Sequence, residues 1–61
     1  MENPSVTTQF HVTIDYRTKQ RLGVWSGMVS AGKMEEAGEL AERSLRRRQR
    51  AVVRIDRIVV R

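Results

Sequence analysis

The sequence predicts an α+β fold: one small domain spanning residues 1–61, in which two strands, one helix and a third strand follow one another. Three observations predict it. Apolar and polar residues alternate near the N-terminus and again near the C-terminus, which is typical of half-buried strands. Between them, apolar residues recur at helical spacing. A chain of 61 residues has room for one hydrophobic core.

The first strand is predicted at about residues 6–17, where β-branched and aromatic residues alternate with polar ones. The apolar side of this alternation consists of Phe10, Val12, Ile14 and Tyr16. Residues 1–5 are expected to form a frayed leader, because Pro4 has no N–H to donate to a ladder.

A polar break of three residues, 18–20, is interpreted as a hairpin connection to a second strand at about residues 21–29. In that strand Leu22 and Val24 alternate with Trp25 and the glycines. If the helix covers the face that carries Phe10, Leu22 and Val24, Trp25 lies on the uncovered face. There it could stack a base, or it could pack in a dimer interface or in a second small core.

The helix is predicted at about residues 33–49, with Ser30 or Gly32 as its N-cap. Its apolar residues fall within one arc of a helical wheel and should face the sheet: Met34, Ala37, Gly38, Ala41 and Leu45. The small residues among them should let the helix lie close to the strands.

The third strand is predicted at about residues 51–60, but its alternation changes phase. Val53 and Ile55 share one face, whereas Ile58 and Val60 share the other. Either a β-bulge near Asp56 and Arg57 restores the alternation, or both faces of this strand are buried, one by the helix and one by a partner chain.

Connecting these elements with a hairpin and a right-handed crossover gives the strand order 2-1-3, with all neighbours antiparallel. One helix covers only one face of such a sheet. A chain of this size without cysteine has no disulfide to stabilise it, and the third strand would form a long apolar edge. We therefore expect a homodimer, with the third strand pairing with its own copy.

Basic charge is concentrated in one segment. The chain has 12 Lys and Arg residues against 7 Asp and Glu residues, a formal net charge of +5. Glu39 and Glu42 each precede an arginine by four residues, which explains Arg43 and Arg46 as helix-stabilising pairs. Neither pairing along the helix nor the helix dipole accounts for the remaining three arginines, Arg47, Arg48 and Arg50, which form an excess of basic charge at the C-terminal end of the helix.

This pattern favours a small nucleic-acid-binding protein that contacts phosphates with arginines. Neutralising four phosphates would give a slope of about −3 to −4 for log K against log salt. The candidate contact residues are Arg43, Arg46, Arg47, Arg48, Arg50, Arg54 and Trp25. The alternative is a small inhibitor or adaptor, for example of phage type, that docks its basic helix on an acidic surface of a partner protein.

Other functions find little support in the sequence. The sequence specifies no base–nucleophile arrangement between His11 and a serine, and Asp15 and Asp56 are isolated carboxylates. We therefore expect no enzymatic activity, and no small-molecule substrate or cofactor. The chain has no cysteine and no calcium-loop spacing, so we expect no metal. With no apolar span or secretory signal, the expected location is the cytoplasm, away from membranes.

Overall fold

The computed structural model describes residues 7–61, and the leader expected at residues 1–5 lies outside that part of the chain. It confirms the α+β fold. Strands β1 (Thr8–Arg17) and β2 (Leu22–Ala31) are followed by helix α1 (Met34–Arg48) and strand β3 (Arg54–Val60). The observed β2 ends two residues later than predicted and β3 begins three residues later.

The three strands form one antiparallel sheet in the predicted order β2-β1-β3, and α1 covers one of its faces. Because β1 is the central strand, its inward side chains are the best protected: Val12 and Ile14 are fully buried. The buried residues of the helix lie on one side of it: Ala37, Gly38, Ala41 and Leu45. These two apolar surfaces form the core.

The face of β2 that meets the helix is the opposite of the one predicted. The hairpin connection has four residues, Thr18 to Arg21, because the Thr18 amide N–H donates to the Arg21 carbonyl at 2.8 Å. Arg17 therefore pairs with Leu22, and Ile14 pairs with Trp25. Since neighbouring residues of a strand point to opposite faces, one extra turn residue reverses the face of every side chain that follows.

The consequence is that Trp25 packs with the core under the helix, together with Val29. Leu22, Val24 and Met28 lie on the open face instead, with 66%, 67% and 58% of their surface exposed. The expectation that Trp25 lies on the uncovered face is wrong.

The predicted bulge is present. Asp15 pairs with Arg57, but the next residue, Tyr16, pairs with Ile55, so Asp56 is the extra residue in β3. Because of the bulge, Ile55 and Ile58 lie on the same face of β3, the one that the helix covers. Ile58 pairs with Ile14, and Ile55 pairs with Tyr16.

The helix ends differ from the prediction. The N-cap is Lys33, which makes no side-chain cap, and Glu36 accepts a hydrogen bond from the Gly32 N–H at 2.8 Å. Met34 is 52% exposed because it lies in the first turn, outside the buried stripe. After the helix, Val52 rather than Val53 is buried.

Candidate functional site

Three separate segments bring basic residues to the same end of the molecule. The β1–β2 turn lies at the end of β1, and β3 begins beside it, because Arg17 pairs with both Leu22 and Arg54. The helix runs back to this end, since the Val53 N–H, just after it, donates to the Arg17 carbonyl at 2.9 Å.

We call this end the basic pole and define it by eight residues: Arg17, Lys19, Arg21, Arg46, Arg47, Arg48, Arg50 and Arg54. All eight are exposed. Arg50 is three residues from Val53, which places its backbone within about 10 Å of the backbone of Val53. Long side chains from the helix and from the strand ends can therefore contact one ligand surface.

The pole contains few acidic groups to neutralise it. Arg46 is paired with Glu42 on the helix at 3.0 Å, as the sequence predicts. The other predicted pair, Glu39 with Arg43, does not form; these two residues line a shallow groove of the exposed helix face, one turn before the pole.

Asp56, the bulge residue, is the second acidic group that contacts the pole. Its two carboxylate oxygens form ion pairs with Arg54 at 3.1 Å and with Arg17 at 3.5 Å. These are exposed side chains, so each pair contributes no more than about 1 kcal/mol to stability. Within the described part of the chain, the other five residues of the pole have no carboxylate within ion-pair distance: Lys19, Arg21, Arg47, Arg48 and Arg50.

The charge of the molecule is therefore polarised. Eight of the 12 basic residues belong to the pole, and together with the two acidic residues that contact it, Glu42 and Asp56, they carry a formal charge of +6. Because the whole chain carries +5, all its other residues sum to −1. A field of this shape attracts a polyanion to one end of the protein.

The structure brings together most, but not all, of the predicted site residues. Arg46, Arg47, Arg48, Arg50 and Arg54 meet at the pole. Arg43 lies one turn before it on the helix. Trp25 is separated from this surface, because it lies under the helix.

Sequence reasoning missed Arg17, Lys19 and Arg21, which are distant in sequence from the helical arginines. The signal was available in the predicted topology. A hairpin followed by a returning helix places the hairpin turn and the helix C-terminus at the same end of a domain.

The open face of the sheet is a second surface of interest. His11 Nε2 lies 2.9 Å from the Ser26 hydroxyl oxygen, which links β1 and β2 on this face. A shallow groove between β1 and β3 is lined by His11, Thr13, Asp15, Arg57, Val59 and Arg61. Leu22, Val24 and Met28 form an apolar row along β2 beside these polar residues.

Comparison of the chain with protein-family models, with curated proteins and with solved structures finds no match. Within residues 7–61, no three His, Cys, Asp or Glu residues cluster in a way that could hold a metal ion. The one described helix is too short and too polar to cross a membrane.

Proposed function

We propose that this chain binds nucleic acid and that the basic pole supplies its phosphate contacts. The observation that carries the proposal is the convergence of eight basic residues from the turn, the helix and β3 at one exposed end. Seven of the eight are arginines, whose planar guanidinium groups bind phosphate oxygens in a bidentate manner.

The distribution of aromatic residues supports contacts to the phosphate backbone rather than to unpaired bases. Single-strand binders commonly stack bases on exposed aromatic rings of a sheet. Here Phe10, Tyr16 and Trp25 all pack against the core on the helix-covered face. Apart from the imidazole of His11, the open face of the described sheet therefore has no aromatic ring for a base to stack on.

The test is a titration of a short mixed-sequence duplex with wild type and with the double variant Arg47→Ala/Arg50→Ala, over a range of salt concentrations. Each phosphate contact contributes about 0.9 to the slope of log K against log salt, so this variant should reduce the slope by about two. Fluorescence anisotropy of a labelled duplex measures both quantities.

The matched control is Arg57→Ala/Arg61→Ala, which removes the same charge from exposed arginines outside the pole. Its slope should remain that of the wild type. Equal losses in the two double variants would mean that net charge, not the pole, governs binding. No binding by the wild type at low salt would refute the proposal altogether.

A second candidate function, docking on an acidic protein surface, is favoured by one observation. Carboxylates lie next to arginines on the exposed helix face, where Glu39, Glu42, Arg43 and Arg46 line one groove. Such alternating charge suits a folded protein partner better than a uniformly anionic phosphate backbone. Retention of one defined protein from a nuclease-treated lysate, lost in Arg47→Glu/Arg50→Glu, would support this function over the first.

A further inference from the structure

The edge of β2 has none of the features that prevent edge strands from pairing with other chains. Natural edge strands are protected by charges, prolines or bulges. From Leu22 to Ala31 there is no charged residue and no proline, and the pairing with β1 runs without a register shift. Three apolar side chains along this strand, those of Leu22, Val24 and Met28, are more than half exposed.

The other edge of the sheet is protected. The sequence pattern favours β3 for self-pairing, but this strand contains the bulge at Asp56, with Arg54 and Arg57 nearby. A bulge interrupts the regular series of N–H and C=O groups that a partner strand needs. Two copies that met along β3 would also bring arginines of like charge together.

The backbone of β2 offers a regular set of free hydrogen-bonding groups. His11 and Arg61 exchange both backbone hydrogen bonds at 2.9 Å, so the odd-numbered residues of β1 bond to β3 and the even-numbered ones to β2. Because Ile14 pairs with Trp25, the odd-numbered residues of β2 bond to β1. The N–H and C=O groups of its even-numbered residues, Leu22 to Ser30, therefore point away from the sheet.

We propose that two copies of this chain pair antiparallel through their β2 edges, with a two-fold axis at Ser26, to form one six-stranded sheet. In this arrangement, hydrogen bonds form between even-numbered residues of the two strands, whose N–H and C=O groups point away from the sheet. Ser26 therefore pairs with Ser26 of the second copy. This register uses the whole strand, since Leu22 then lies opposite Ser30 of the second copy. No other register around a two-fold axis satisfies as many outward groups.

Side chains on both faces fit this register. On the open face, Val24 lies opposite Met28 of the second copy, so two of the three exposed apolar side chains of β2 gain an apolar neighbour. On the helix-covered face, Trp25 lies opposite Gly27 of the second copy. A Cβ at Gly27 would lie 3.1 Å from Trp25 Cη2 of the same chain, so each indole ring already lies over the glycine of its own strand, and the two rings flank the two-fold axis.

The charge distribution fits as well. β2 itself is uncharged, so its self-pairing brings no like charges into contact. The two-fold axis places the basic poles of the two copies at opposite ends of the joined strands, which keeps their repulsion low. The second copy is therefore the partner that this edge accommodates best.

The test uses single-cysteine variants of the full chain, which has no cysteine of its own. In the proposed dimer the two Ser26 Cα atoms are about 5.5 Å apart, within disulfide range. Mild oxidation, or a short thiol-specific cross-linker, should convert Ser26→Cys into a covalent dimer. The matched control Ser30→Cys should not cross-link, because the two Ser30 residues lie about 26 Å apart along the ladder.

Sedimentation analysis of the uncross-linked protein provides an independent measurement. Wild type should sediment at twice the monomer mass of 7.1 kDa at high concentration. Ser26→Pro should remain monomeric with an unchanged circular dichroism spectrum, because the lost N–H points outward and makes no bond to β1.

Three results would overturn the proposal: a monomeric wild type at millimolar concentration, equal cross-linking of Ser26→Cys and Ser30→Cys, or a folded Ser26→Pro that still forms dimers. If Ser26→Pro fails to fold, the two cysteine variants decide the question alone.

Discussion

Gly38, in the middle of α1, is a position where a substitution should stabilise the fold. A Cβ atom at Gly38 would lie 3.7 Å from Ile58 Cγ2 and 3.8 Å from Val60 Cγ2, which is ordinary van der Waals contact. Glycine in a helix interior costs about 1 kcal/mol relative to alanine. Gly38→Ala should therefore raise the free energy of unfolding by about 1 kcal/mol, equivalent to about 4–8 °C in Tm for a domain of this size.

Thermal unfolding followed by circular dichroism measures this effect. Gly23→Ala should have the opposite effect and lower the Tm. There, a Cβ would lie 2.6 Å from Tyr16 Cε1, so the ring must move away from the strand. Overpacking of this kind costs about 1–3 kcal/mol. A lower Tm for Gly38→Ala would mean that the helix packs closer to β3 than these distances allow.

At the scale of elements, the β1–β2 turn should take part in binding although it is distant in sequence from the helix. Thr18 fixes this turn: its hydroxyl oxygen accepts from the Arg21 N–H at 3.1 Å and donates to the Arg21 carbonyl at the same distance. Lys19→Ala/Arg21→Ala should lower the salt slope for duplex binding by about two, the same change that is expected of Arg47→Ala/Arg50→Ala. An unchanged slope would mean that the β1–β2 turn does not contact the duplex.

The elements themselves could be predicted from the sequence because each depends on a local pattern. Period-two alternation located β1, and the change of phase in the third strand located the bulge at Asp56. The two faces of β2 depended on the length of one turn, four residues rather than three, which periodicity does not encode. That single residue decided whether Trp25 or Val24 would be exposed.

The candidate site was predictable only in part, for a related reason. A run of arginines is visible in any short window of sequence, so Arg46 to Arg50 were found. The contribution of Arg17, Lys19 and Arg21 arises from the return of the chain to the same end of the sheet, which is a tertiary property. Their charges are scattered along the sequence and come to the same end as the helical arginines only in the folded chain.

At the scale of the whole molecule, the polarised charge and the proposed pairing through β2 together predict that the affinity for a DNA duplex and its salt slope depend on the length of the duplex. In the proposed dimer paired through β2, the two basic poles would lie at opposite ends of a strand of ten residues, about 30 Å apart. Duplex DNA rises about 3.4 Å per base pair, so roughly nine base pairs separate the phosphates that two poles can reach.

A duplex of about 8 base pairs should therefore contact one pole, whereas one of about 20 base pairs should contact both. For wild type, the longer duplex should bind with about twice the salt slope and an affinity raised by the second contact. Ser26→Pro should show the same slope for both lengths. If the monomeric variant also doubles its slope on the longer duplex, the two poles do not act through a shared dimer, and binding of independent monomers explains the length dependence.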